Sequence, residues 1–184
     1  LYAVLTPSWQ VSDEPAHYNY VRHVAETGRL PILRIGELDV EYLKDLRTWG
    51  FPPNLSIDEL QYESHQPPLY YLLAAGVYRV LLALGVSMPL GLRLFSLLLG
   101  AAAILVGYKL VMAIFPNDSL PALGTAAFAA TLPMHLAISA SVDNGALVRL
   151  ILNLAVWLLV VIGQAGWDIR RSLMLGALWG LGVL

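Results

Sequence analysis

The sequence predicts an all-α fold: a polytopic transmembrane helical bundle whose extracytoplasmic first loop carries juxtamembrane helices. Three observations lead there. Hydrophobic residues make up 58% of the 184 and charged residues only 13%, where an ordinary soluble domain carries about 25% charged. The charges are segregated: residues 1–66 hold 15 of the 24 Asp, Glu, Lys and Arg, and the other 118 residues hold nine. Uncharged apolar runs of membrane-spanning length then follow one another. The net charge of −2 argues against nucleic acid as a partner, and the absence of cysteine excludes disulfides and thiolate metal sites.

The elements follow in order. Residues 1–7 read as the end of a first transmembrane helix, with Tyr2 and Trp9 as interface aromatics. The chain opens on "LYAVLTP" and stops on "WGLGVL", both inside apolar segments, so it reads as a fragment of a larger protein. Residues 8–66 form one extracytoplasmic loop with short helices. In "SDEPAHYNYVRHVAETG", Ser12 or Asp13 is expected to cap a helix, Pro15 to sit in its first turn and Gly28 to end it. "DVEYLKDLRTW" reads as a second, amphipathic helix, and the connections "GRLPILRIG" and "GFPPN" are rich in Gly and Pro.

Residues 66–85 are uncharged except for Arg79. A guanidinium in the middle of a spanning helix costs about 2.5–3.5 kcal/mol on insertion scales. On a helix lying in the interface it costs almost nothing, and Tyr70, Tyr71 and Tyr78 suit the headgroup level. The segment is therefore expected to be interfacial or re-entrant. The transmembrane helices are expected at 92–113, 121–141, 146–163 and 172–184, the last truncated. This count puts Lys109, Arg170 and Arg171 together on the face opposite the long loop, as the positive-inside rule requires of a cytoplasmic side.

The same count gathers Asp13, Glu14, His17, Glu63, His65, Asp143 and Asn144 at the outer face, with Arg93 and Arg149 one to two turns inside. Carboxylates, histidines and arginines at one membrane face suit transfer of a group from a lipid phosphate. A carboxylate can take the proton of an acceptor hydroxyl as the new bond forms. A cation, from the protein or a metal, must offset the charge growing on the departing phosphate. That leaving group is already good, so a second, acidic carboxyl is unnecessary, unlike in glycoside hydrolysis.

Four stretches carry a resemblance: "SDEPAHYNYVRHVAETGRLP", "HQPPLYYLLAA", "LRLFSLLLGAAAILVGYKL" and "PMHLAISASVDNGALV". In that order they resemble the N-terminal half of GT-C glycosyltransferases, in the branch of protein O-mannosyltransferases and lipid A aminoarabinose transferases. The resemblance covers nearly the whole chain. It implies an enzyme of the bacterial inner (plasma) membrane, with its active site on the extracytoplasmic face. Such an enzyme moves a sugar from a polyprenyl-phosphate donor to an acceptor lipid, glycan or protein. It puts the catalytic carboxylate or metal ligand on Asp13, with Glu14 beside it. Substrate binding falls to His65, Gln66, Arg93, Asp143 and Asn144. Pro67 and Pro68 would stiffen the start of the interfacial helix. No cofactor is specified by it, and a divalent metal ion, Mg or Mn, is an option at Asp13 and His17, which share one helical face. Relatives usually read Asn-Asp-Ala-Leu at the later turn, whereas this chain has Asn144-Gly145-Ala146-Leu147, with an aspartate just before, at Asp143.

Competing readings stand beside these. Asp13 and Glu14 are also what a helix N-terminus favours through its dipole, and His17 also reads as a packing histidine. Arg93 and Arg149 also read as snorkelling residues, and His135 as an interhelical packing residue. At the level of function the alternatives are a transporter or flippase for lipid-linked sugars, and a catalytically degenerate relative that binds them without turnover.

Overall fold

The computed structural model describes residues 1–33, 39–52 and 54–183. The expected connections "GRLPILRIG" and "GFPPN" fall partly outside them, at 34–36 and 53. Among the described residues the chain is all α, with nine helices: α1 (Tyr2–Leu5), α2 (Glu14–Thr27), α3 (Val40–Thr48), α4 (Leu69–Leu84), α5 (Met88–Ile114), α6 (Leu120–Thr131), α7 (Pro133–Ser139), α8 (Gly145–Ala165) and α9 (Ile169–Val183). They form two compact units, one of Leu1–Ser96 with Ala140–Asn144 and one of Leu97–Ser139 with Gly145–Leu184.

In the first unit, α2 has Pro15 in its first turn and ends at Gly28, whose φ of 69° is the left-handed conformation that closes a helix. Its start departs from expectation. Asp13 stands at the N-cap position but makes no side-chain cap bond, and Ser12 turns its hydroxyl to the Asp13 carboxylate instead. α3 is capped in the ordinary way: the Asp39 side chain accepts from the Tyr42 N–H at 2.9 Å.

The polar segment is packed. Ala16 of α2, Leu43 and Leu46 of α3 and Leu60 are buried together, with Tyr42, Phe51, Leu55, Ile57 and Tyr62 against them. Asn19 fastens α2 to the 57–60 segment by donating to the carbonyls of Ile57 and Leu60. Leu46→Ala is expected to destabilise the protein by about 2–5 kcal/mol, because a fully buried leucine leaves a cavity as well as losing its transfer energy. A thermal melt of the purified protein reads the loss.

α4 has 16 residues, about 24 Å at 1.5 Å per residue, less than the roughly 30 Å hydrocarbon core. Tyr70, Tyr71 and Tyr78 are buried, so they are not the headgroup anchors that their border position suggested. They pack inward. Tyr71 lies flat on Tyr20 with ring centroids 3.7 Å apart, and Tyr78 tilts against Tyr18 at 6.2 Å. Arg79 is also used locally: its Nε donates to the carbonyl of Ala25 at 2.9 Å, in the last turn of α2, where carbonyls lack helical partners.

In the second unit, α8 has 21 residues, about 31 Å long. α5 begins in the first unit and continues into the second for 27 residues in all, about 40 Å. Both are long and apolar enough to cross a membrane. The expected straight span 121–141 is instead broken. α6 and α7 meet at 67°, because Pro133 lacks an N–H and drives Leu132 to an extended conformation (φ −68°, ψ 113°). Among the described residues two helices, or three if the bent pair is counted as one span, can cross, and they mark the chain as membrane-associated. α9, against which α8 packs, has 15 residues and falls short of that length.

Candidate functional site

The first unit is organised around an ion pair between two residues far apart in sequence. Glu14 opens α2 and is 0% exposed; Arg93, on α5, is 3% exposed. Arg93 Nε and Nη2 donate to the two Glu14 oxygens, each at 2.6 Å. Its remaining N–H groups reach the carbonyls of Ala3 (3.2 Å), Thr6 (2.7 Å) and Pro7 (3.0 Å). The Glu14 oxygens also accept the N–H of Trp9 at 3.0 Å and of Val142 at 3.2 Å. A guanidinium offers five donors and a carboxylate about four acceptor sites, so both groups are satisfied within the protein. While this arrangement is intact, Arg93 has no N–H left over for a ligand phosphate.

Asp13, next to Glu14, is placed differently. It is half-buried with φ of 60°. Its Oδ1 accepts from the Tyr62 hydroxyl at 2.8 Å and lies 3.4 Å from Arg47 Nη2. Burial, and then the hydrogen bond to Asp13, push the Tyr62 phenol above its ordinary pKa, so Tyr62 remains a donor to the carboxylate. The Asp13 side lines a cavity of about 440 Å³, together with Trp9, Arg47, Thr48 and Phe51.

The backbone around this cavity is strained. Among the described residues, the non-glycines in the left-handed region are Trp9 (φ 71°), Asp13 (φ 60°) and Phe51 (φ 56°). All three line the cavity, as does Gly50 at φ 67°. Such conformations cost on the order of 1–3 kcal/mol each and persist only where surrounding contacts impose them. The contact is visible for Trp9, whose N–H is held by Glu14.

His17, one turn on from Asp13 and 4% exposed, faces the other way. Its Nδ1 lies 2.7 Å from the Tyr71 hydroxyl, and its Nε2 is 3.6 Å from Asp143 Oδ2. Burial, followed by the Glu63 and Asp143 charges, raises the Tyr71 phenol above its usual value. Tyr71 therefore keeps its proton, and where its hydroxyl donates to Nδ1 the His17 N–H is the Nε2 one, toward Asp143. Tyr71→Phe would leave a buried ring nitrogen without its donor, at an expected cost of about 1–3 kcal/mol. A melt of that variant beside Tyr20→Phe, whose hydroxyl makes only a 3.4 Å bond to the Gln66 carbonyl, checks it.

Gln66 connects the "HQPP" border to the 140–144 segment. Its amide donates to Glu63 at 2.8 Å and accepts from Asn144 at 3.2 Å. His65 is exposed, with Nδ1 3.0 Å from the Tyr62 carbonyl. The structure thus brings Asp143 beside His17 and Asn144 beside Gln66, and puts Asp13 and His65 on either side of Tyr62. Asp13 and His17 do not converge on a common point, and among the described residues no group of three or more His, Asp or Glu could hold a metal ion. With His17 turned to Tyr71 and Asp143, the donor set does not fit a metal at that pair.

Sequence reasoning missed Arg47 and Tyr62, and read Tyr71 as an interface aromatic rather than as the partner of His17. Tyr71 had a readable signal, standing in the first turn of α4, three residues after Pro68; Arg47 and Tyr62 meet Asp13 across 34 and 49 residues, with nothing local to mark them. His135 and Arg149 belong to the second unit, where Arg149 donates to Ser139 at 3.1 Å. Comparison with family models, with curated proteins and with solved structures finds no match.

Proposed function

We propose that this chain forms part of a membrane glycosyltransferase that moves a sugar from a polyprenyl-phosphate donor to an acceptor hydroxyl at the extracytoplasmic face of a bacterial inner membrane. The reading rests on the motif resemblance. The observation that carries it in three dimensions is the Asp13 carboxylate, set in left-handed backbone on the wall of a 440 Å³ cavity. Pockets of this size bind small molecules.

In this mechanism the acceptor oxygen attacks the anomeric carbon as its proton passes to Asp13, and the sugar–phosphate bond breaks with its electron pair going to the polyprenyl phosphate. Arg47, beside Asp13 in the cavity, orients the acceptor. His65 and Gln66 receive the phosphate side of the donor, with Asn144 holding Gln66 and Asp143 holding His17. Glu14 and Arg93 position this machinery by fixing the 3–14 segment.

The test is transfer of radiolabelled sugar from a polyprenyl-phosphate donor by membranes containing the full-length protein. Asp13→Asn, which keeps the shape and removes the base, is expected to abolish product formation. Undiminished transfer by that variant would overturn the assignment.

The 67° break between α6 and α7 favours a second reading, a transporter or flippase, since broken helices are common at transporter binding sites. Movement of the labelled lipid between leaflets without any glycosylated product would select it.

A further inference from the structure

The second unit contains a cavity of its own, of about 230 Å³, formed by α5, α6, α7 and α8. None of its lining residues belongs to the site around Asp13. Its walls are largely small or apolar, and Gly107 widens it: a Cβ there would lie 3.7 Å from Asn153 Nδ2. Into this setting project Arg149, His135 and Asn153. The Asn153 amide is fixed by its bond to the Ala103 carbonyl at 2.9 Å, and Arg149 is oriented by Ser139.

His135 supplies the second observation. Its Nδ1 is buried and has no hydrogen-bond partner among the described residues. Buried polar atoms are nearly always bonded, and an orphan in a native fold points to a bound water or ion. Of the lining side chains, Arg149 carries a positive charge and His135 adds a ring N–H donor, while no carboxylate faces the space. Ionisable groups within apolar helices mark functional sites by default. The space is several times the ~30 Å³ that a water occupies in the liquid, more than a halide needs. The planar fork of a guanidinium matches the oxygens of a phosphate in pairs.

We infer that this cavity binds a phosphate-type oxyanion, held by the Arg149 guanidinium and the His135 ring N–H and bordered by Asn153. The site is independent of the glycosyl-transfer reading. The oxyanion comes either from a lipid headgroup or from free phosphate, and one experiment separates the two.

The full-length protein, stripped of lipid in a maltoside detergent and phosphate-free buffer, is melted with inorganic phosphate, with phosphatidic acid in mixed micelles, and with chloride at matched ionic strength. Binding to the folded state raises the melting temperature by several degrees at saturating ligand. The rise is expected with phosphatidic acid, with phosphate, or with both, and not with chloride. It should be lost in Arg149→Gln and at least halved in His135→Phe. A rise with phosphatidic acid alone assigns the oxyanion to a lipid; a rise with inorganic phosphate as well shows that the free anion suffices. Should Arg149→Gln not fold, His135→Phe decides alone, since it keeps a planar aromatic group there and removes both hydrogen-bonding nitrogens. No rise with either ligand, or an undiminished rise in the variants that fold, overturns the inference.

Discussion

Arg93→Met is expected to destabilise the protein by about 3–5 kcal/mol, because it leaves the Glu14 carboxylate buried with no opposing charge. Both partners lie out of solvent, at 3% and 0% exposure, so neither water nor salt can compensate. The melting temperature should fall by on the order of 10 °C, and Glu14→Leu should lower it too. The informative variant is the double substitution Glu14→Leu/Arg93→Met. Replacing a buried ion pair by apolar residues of similar volume is often neutral. Here the carbonyls of Ala3, Thr6 and Pro7 and the N–H groups of Trp9 and Val142 would also lose partners. Recovery should therefore be partial: less stable than the parent, more stable than the two single losses added together. A double variant showing simple additivity would mean that the two side chains are not coupled.

For Asp13→Asn, the turnover of sugar transfer should drop by about 10²–10⁴, the usual worth of a positioned general base, while the apparent affinity for donor changes little. Two controls separate base chemistry from architecture. Asparagine at 13 retains an oxygen that can accept from Tyr62, so the melting temperature should stay close to that of the parent. Tyr62→Phe removes a hydroxyl that bonds to Asp13 at 2.8 Å without removing the base, and should cost less than Asp13→Asn in turnover. Equal losses in the two variants would shift the role of Asp13 from proton acceptor to structural anchor.

What could be read from the sequence was what local physics determines. Pro15 and Gly28 bracket α2 because a fixed φ suits a first turn and a left-handed glycine ends a helix. α8 follows from its uncharged apolar run, and Arg79 marked α4 as unlike the other apolar helices. The break at Leu132–Pro133 was not legible, because a proline within an apolar run leaves the choice between kink and continuation to the neighbouring helices. The Glu14–Arg93 contact lay beyond local reasoning too. Each residue had an adequate local explanation, dipole for one and snorkelling for the other, and only the fold brings together partners 79 positions apart. The candidate site divides in the same way. Asp13 and Gln66 stood in recognisable motifs, whereas the neighbours that orient them, Tyr62 and Asn144, are long-range.

The reach of Glu14 also governs how the protein is made. Arg93 donates to both of its carboxylate oxygens, and one of them also accepts the N–H of Val142, which lies 128 residues further along the chain. At roughly 5–20 residues per second of synthesis, the ribosome must work for about 6–26 s after Glu14 emerges before Val142 exists. Throughout that interval the first loop lacks the strand of chain that completes its anchor. A nascent chain ending before residue 142 therefore holds Glu14 through Arg93 and Trp9 alone, one donor short of the finished fold.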